Sequence, residues 1–216
     1  MLTQEKEKTK KSEEEKKSLL VDLSSLKEQQ PSLRVTGVYG DVNEDKASET
    51  IYTLLHYDAS TVLVKENPED PESQLIEVAE PIDFYVSSHG GSATEMFSIY
   101  DMMRMVRETT PIHTHGIGKV MSAGVLLLAA GTRGKRTIGK NCRVMIHGVV
   151  SGQAGHLQDV ENEFEEAKLT QKLYIKNLAA ETDMTEKYIK RLMDKKTNVY
   201  LNAEKAVELG IADKVF

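Results

Sequence analysis

A serine at the junction between a predicted strand and a predicted helix is the residue best suited to covalent chemistry in this sequence. Ser122 follows a predicted turn at 118–121 and precedes a run of small residues and leucines at 123–130. A hydroxyl there lies near unpaired N–H groups and the positive end of the helix dipole, which favour a developing oxyanion. Gly90 and Gly91 precede another predicted helix and would let a further N–H approach the same point. The alternative is structural, with Ser122 capping its helix and the glycines only forming a tight turn.

A histidine at the end of a predicted strand is the candidate base for that serine. His147 closes the apolar strand 143–147, where a histidine with a purely structural role is the usual finding. It would instead activate Ser122 if the fold brings the imidazole within hydrogen-bond reach, and the separation in sequence does not decide between these roles. Val120 occupies the first glycine position of the Gly-x-Ser-x-Gly motif, which argues against an α/β-hydrolase.

The elements that would position these residues alternate between strand and helix, which predicts an α/β fold. Predicted strands lie at 35–39, 61–64, 74–78, 82–86, 112–117, 143–147 and 214–216, and predicted helices include 123–130, 157–178, 185–193 and 203–209. The runs 61–64 and 74–78 flank a segment with two prolines and several acidic residues, which favours a hairpin. The helix 157–178 has apolar residues at steps of three and four, typical of an amphipathic helix.

Composition separates a charged N-terminal arm, residues 1–32, from one folded domain, residues 33–216. The net charge of −6 argues against a nucleic-acid partner, which would require a basic surface. The sequence has neither an apolar run long enough to span a membrane nor an N-terminal secretory signal, so a cytoplasmic protein is expected.

The remaining candidates for chemistry are weaker. The single cysteine, Cys142, excludes an internal disulfide and is better interpreted as a small core residue than as a nucleophile. His113 and His115 alternate along one strand face without an evident third ligand, so no metal site is predicted.

Separated motifs, taken together, resemble the proteolytic subunits of the ATP-dependent Clp protease, the ClpP family. The motifs are Gly90-Gly91-Ser92 with Ser98–Asp101, then Gly118–Gly124 with Ala130-Gly131, then Arg143–His147. Their order and their intervals match that family, and residues 201–213 are similar to its C-terminal segment. The resemblance covers residues 33–216.

This resemblance implies a ClpP/crotonase-like α/β superfold and a serine endopeptidase that cleaves polypeptides through an acyl-enzyme. Ser122 would be the nucleophile and His147 the general base, and the N–H groups of Gly90 and Ala123 would form the oxyanion hole. The family assembles as two stacked seven-membered rings around a chamber, with the helix 157–178 in the place of the ring–ring handle. No cofactor is implied in this chain, since ATP would be used only by a partner AAA+ unfoldase.

The sequence departs from the family pattern at four points. Asn198 aligns with the aspartate that completes the family's triad, and Asp194 is the nearest carboxylate. His89 stands where the family usually has proline, the hairpin segment 58–79 resembles an insertion, and the first 30 residues are unlike the usual axial-loop segment. These features would suit a divergent member, such as one encoded by a phage.

Two other functions remain open from the sequence. A catalytically weak or inactive homologue could serve as a structural or regulatory ring component, and Asn198 keeps that hypothesis open. A crotonase-type acyl-CoA enzyme also holds an oxyanion with backbone N–H groups, but no carboxylate stands out as its acid or base.

Overall fold

The computed structural model describes residues 33–60, 62–67, 69–152, 154–194 and 197–216. The strands are β1 (Val35–Val42), β2 (Val62–Lys65), β3 (Leu75–Val78), β4 (Ile82–Gly91), β5 (Ile112–Met121), β6 (Thr137–Ile138), β7 (Arg143–Ile146), β8 (Val199–Leu201) and β9 (Lys214–Val215). The helices are α1 (Glu44–Asp58), α2 (Ala93–Val106), α3 (Ala123–Ala129), α4 (Leu157–Glu181), α5 (Glu186–Met193) and α6 (Ala203–Glu208). The predicted α/β fold is confirmed. The arm at 1–32 lies outside the described residues, so the division into 1–32 and 33–216 stays a prediction.

Seven strands form a central sheet with the order β1-β4-β5-β6-β9, and β7 pairs with both β5 and β8. All neighbouring strands are parallel except β7 and β8. Strand β5 pairs with two different strands on the same side. Its residues His115 and Gly116 pair with β6, whereas Lys119–Met121 pair with β7. The carboxyl ends of β4, β5 and β7 therefore meet at one edge of the sheet, where the polar residues that follow them come close together.

Helix α3 is the centre of the core and fixes the position of the residue before it. Its sequence, AGVLLLA, has no charged or polar side chain, and all seven residues are buried. It packs against β4 and β5 on one side and against α2 and α4 on the other. A helix that is apolar all round is stable only in such a buried position. Ser122, the residue at its N-terminus, is consequently held by the core.

The segment between α1 and β4 contains a separate two-stranded sheet. Strands β2 and β3 pair antiparallel, with Val62 opposite Val78 and Lys65 opposite Leu75. That this segment is an insertion relative to the ClpP family stays a prediction, as does membership of the crotonase-like superfold. No helix among the described residues is both long enough and apolar enough to cross a membrane.

The sequence-based element limits differ from the structure mainly where strands are longer than predicted. Residues 118–121 were predicted as a turn, but β5 continues to Met121 because Lys119–Met121 form a ladder with β7. Strand β4 likewise continues to Gly91, because Asp41 and Val42 of β1 pair with the two glycines. Strands β6 and β8, of two and three residues, were not predicted. Strands this short carry too few residues for a recognisable alternation.

Candidate active site

Ser122 has the backbone conformation of a strained turn. Its φ is 53° and its ψ is −119°, and it is the only residue other than glycine with positive φ in the described part of the chain. This region is easily reached only by glycine, and holding another residue there costs on the order of 1–3 kcal/mol. The side chain makes no hydrogen bond that caps α3. The structural alternative, in which Ser122 is simply a capping serine, is therefore wrong.

One hydrogen bond within the turn and two from distant parts of the chain, β7 and α4, hold Ser122 in this conformation. Its N–H donates to the backbone oxygen of Met145 in β7 (2.8 Å). Its own backbone oxygen accepts from the N–H of Val125 (3.0 Å) and from the hydroxyl of Tyr174 in α4 (3.0 Å). These bonds offset the strain, and they leave the side chain of Ser122 to face a cavity.

That cavity brings together the two residues proposed from the sequence as nucleophile and base. It has a volume of about 230 Å³, and both Ser122 and His147 line it. His147 directly follows β7, and its side chain is partly exposed. Met96 from α2 and Tyr174 from α4 supply apolar surface on the walls. The described lining residues include no aspartate or glutamate. An imidazole and a hydroxyl in one concave, partly apolar site are the groups that acyl transfer to serine requires.

The two glycines at the end of β4 differ in their surroundings. Gly90 is buried at φ +103°, and a β-carbon added to it would lie 2.6 Å from the Ser122 β-carbon. The N–H of Gly90 donates to the hydroxyl of Ser88 (2.9 Å), a fully buried side chain. Gly91, not Gly90, lines the cavity. Gly90 therefore leaves room for Ser122, whereas Gly91 is the one of the two glycines that borders the cavity.

The two candidates for a third triad residue lie in different surroundings. In the antiparallel ladder of β7 and β8, Ile146 is opposite Val199. The next pair in the same register would be His147 and Asn198, and the side chain of Asn198 is exposed. Asp194 directly follows α5, as its C-cap residue, and lines a separate cavity formed by that helix. The register favours Asn198 as the neighbour of His147, and the assignment of either residue to the triad stays a prediction.

The other residues considered from the sequence lie away from this cavity. His115 has an Asp83 carboxylate oxygen 3.0 Å from Nε2 and the Thr137 hydroxyl 2.7 Å from Nδ1, so both ring nitrogens have protein partners. In the residues that the structure describes, no three side chains are grouped in a way that could hold a metal ion. Cys142 is buried, which raises the pKa of its thiol to about 11. A thiol with a raised pKa is a poor nucleophile.

Comparison with known proteins gives the family. The family model for Clp protease matches residues 72–216, which include the whole candidate site. The chain belongs to the Clp protease family.

Two curated relatives are proteolytic subunits of the ATP-dependent Clp protease. One is subunit 2 of Corynebacterium jeikeium, to which the chain is 38% identical over 136 residues, 62% of this chain and 63% of the relative. The other is subunit 1 of Corynebacterium glutamicum, also 38% identical over 136 residues, 62% of this chain and 64% of the relative. The matched region thus spans less than two thirds of the length of either relative.

Proposed function

We propose that this protein is a serine endopeptidase that cleaves polypeptides through an acyl-enzyme. The observation that carries the proposal is the strained conformation of Ser122 beside a cavity that it shares with His147. Strain of this kind at a serine with no capping role is expected where the hydroxyl must be presented to a substrate. Membership of the Clp protease family supports the same chemistry.

In this mechanism the Ser122 hydroxyl attacks the carbonyl carbon of the scissile peptide while His147 accepts the hydroxyl proton. The tetrahedral intermediate collapses, and the imidazolium gives that proton to the departing amine. A water molecule then attacks the ester while the now neutral His147 accepts its proton. Return of that proton to the Ser122 oxygen as the ester bond breaks releases the carboxylic acid product and restores the enzyme. Met96 and Tyr174 on the cavity walls favour an apolar side chain in the substrate residue before the scissile bond.

The oxyanion would be held by the N–H of Ala123 and by that of Gly91, in place of the Gly90 group expected from the sequence. The Gly90 N–H already has an acceptor in Ser88. The N–H of Ser92 donates to the oxygen of Val42 in β1 (2.8 Å), so in the parallel ladder β1 bonds to residues that flank Gly91. The N–H of Gly91 consequently faces away from β1, on the side of the cavity that Gly91 lines.

Variants at the two candidate third positions test which residue assists His147. We expect Asn198→Asp to raise kcat on a fluorogenic peptide by between about 10-fold and 10⁴-fold, the upper figure being the cost of the reverse change in a trypsin-type triad. The reason is that a carboxylate orients the imidazole and stabilises the imidazolium, whereas an amide supplies no charge. Asp194→Ala should change kcat less than about twofold, because Asp194 lines another cavity. A large loss in Asp194→Ala alone would transfer the role to that residue, and no change in either variant would leave a dyad of Ser122 and His147.

Assembly into rings is the second part of the proposal. Helix α4 carries apolar side chains that are largely exposed in the single chain, among them Leu157, Phe164, Leu169 and Leu173, with Phe164 60% exposed. Several exposed apolar residues on one helix are typical of an interface between proteins. We infer a cytoplasmic homo-oligomer of stacked seven-membered rings that receives polypeptides from an AAA+ unfoldase. The unfoldase would use the ATP, with no cofactor in this chain and no nucleic-acid partner.

Labelling with a fluorophosphonate probe, followed by native mass measurement, tests the mechanism and the assembly together. The probe should modify one serine, Ser122, because only a serine activated by a base reacts with it at a useful rate. The native mass should be that of a large ring. Absence of labelling in an intact ring would favour the non-catalytic ring component, and a monomer at micromolar concentration would contradict the assembly.

A further inference from the structure

Tyr174 contacts the nucleophile from a direction that the sequence did not indicate. It lies in α4, 52 residues after Ser122, and its hydroxyl donates to the Ser122 backbone oxygen (3.0 Å). The side chain is 6% exposed and lines the cavity that contains Ser122 and His147. In the sequence Tyr174 is only one member of the apolar stripe of the long helix.

The carbonyl that accepts this hydrogen bond belongs to the same peptide group as the N–H of Ala123. No peptide bond in the described residues is cis, so this N–H and the Ser122 carbonyl point in opposite directions. Whatever fixes the direction of the oxygen therefore also fixes the direction of the N–H. Ala123 is the first residue of α3, and an N–H at that position has no acceptor within its helix.

Two donors converge on the Ser122 oxygen. The N–H of Val125 belongs to the same turn of chain, whereas the Tyr174 hydroxyl comes from a different helix. Since the Ser122 conformation is strained, the peptide would relax by rotating unless contacts from outside the turn opposed that rotation. Tyr174 supplies such a contact on the side of the cavity.

We propose that Tyr174 is a positioning residue that aims and polarises the Ala123 N–H toward the oxyanion of the tetrahedral intermediate. This inference rests on the proposed serine peptidase function. A carbonyl that accepts a hydrogen bond makes the N–H of the same peptide a stronger donor, because hydrogen bonds in a chain polarise one another. A donor held in place before the reaction avoids reorganisation when the negative charge develops.

The hydroxyl of Tyr174 remains a donor under all ordinary assay conditions. Burial raises the pKa of this phenol well above its usual value. The hydrogen bond to Ser122 is therefore present across the pH range in which a histidine-dependent peptidase works, and its contribution should not vary with pH.

Tyr174→Phe is the direct test, because it removes the hydroxyl and retains the ring. We expect kcat on a fluorogenic peptide to fall by about 5- to 30-fold, less than the 10²–10³ for removing an oxyanion donor itself, with KM changed by less than about twofold. The affinity for a peptide boronate should fall by the same factor as kcat/KM, because the tetrahedral adduct places an oxygen in the oxyanion hole. Tyr174→Met, which also lacks the hydroxyl, serves as a second variant and should lower kcat by at least as much, with KM altered as well because the ring on the cavity wall is replaced.

Tyr100→Phe is the matched control. The Tyr100 hydroxyl is also buried, with the residue 1% exposed, and it donates to a carboxylate oxygen of Glu181 (3.1 Å) rather than to the site. Both variants should lower the melting temperature, but Tyr100→Phe should leave kcat and the boronate affinity unchanged.

The outcomes separate this inference from the function on which it rests. If Tyr174→Phe lowers only the melting temperature, or raises KM with kcat intact, Tyr174 has a structural or binding role and the inference is overturned while the peptidase stands. If the wild-type protein neither hydrolyses peptides nor binds the boronate, the proposed function is refuted and this inference with it.

Discussion

Replacing Ser122 with alanine is expected to lower kcat for peptide hydrolysis by about 10⁶-fold, the loss measured when the nucleophile of a serine protease is removed. The change deletes one oxygen, and neither the backbone hydrogen bonds of Ser122 nor the packing of α3 depends on that atom. Assembly and melting temperature should therefore stay close to those of the wild type. The measurement is turnover of a fluorogenic peptide with an apolar residue before the scissile bond, together with native mass.

The same cavity offers a matched serine as control. Ser92 also lines it, but the Ser92 hydroxyl accepts a hydrogen bond from the N–H of Glu95 and caps α2. Ser92→Ala should cost about 1 kcal/mol of stability through the lost cap, with kcat reduced less than about threefold. Equal losses of turnover in the two variants would mean that a hydroxyl in this cavity matters for binding or folding rather than as the nucleophile.

A second substitution at the same position examines the strain separately from the chemistry. Ser122→Gly also removes the hydroxyl, but glycine adopts positive φ without penalty. This variant should be as inactive as Ser122→Ala. Its melting temperature should be higher than that of Ser122→Ala, since the strain of about 1–3 kcal/mol is relieved. A lower melting temperature for Ser122→Gly would contradict the strained conformation.

The sequence predicted which residues meet at the site better than it predicted how they are held. The alternation of apolar runs predicted an α/β fold, and the family resemblance indicated Ser122 and His147. The structure adds the strand order, in which parallel pairing of β5 with β4 and with β7 brings Gly91, Ser122 and His147 to one edge. The conformation of Ser122 was not predictable in this way. It depends on acceptors and donors from Met145 and Tyr174, which are distant in sequence and become neighbours only after the sheet and α4 have packed.

The proposed oxyanion hole also depends on strand pairing, here between residues that are adjacent in sequence. The sequence predicts one donor at Gly90, but the N–H of that residue donates to the Ser88 hydroxyl. A signal for this bond was present, because serine side chains often accept from the N–H two residues further along the chain. The direction of the Gly91 N–H cannot be read from the local motif. It follows from the pairing of β4 with β1, in which the N–H of Ser92 donates to the oxygen of Val42. The local motif therefore predicts a donor within this pair of glycines, and the pairing of β4 with β1 favours Gly91, an assignment that stays a proposal.

The close approach of β4 to Ser122 gives Gly90→Ala a large expected effect. A β-carbon at Gly90 would lie 2.6 Å from the Ser122 β-carbon, 3.0 Å from its hydroxyl oxygen and 3.1 Å from the backbone oxygen of Met121. Two of these atoms belong to the side chain of Ser122, the proposed nucleophile, so relief of the strain would displace Ser122. A displacement of about 1 Å at a reacting group can cost about 10²-fold in rate, and we expect kcat to fall at least that much.

The control for Gly90→Ala must also place alanine at positive φ, but without a contact to Ser122. Gly134 has φ +82°, and a β-carbon there would have no atom within 4 Å among the described residues. Both alanine variants should lose about 1 kcal/mol or more of stability, because alanine is disfavoured at positive φ. Only Gly90→Ala should also lose turnover and react slowly with the fluorophosphonate, since its added carbon displaces Ser122. If Gly90→Ala hydrolyses the peptide as fast as Gly134→Ala does, the close packing of Gly90 on the nucleophile has no bearing on catalysis, and the geometry assigned to the Ser122 turn is wrong.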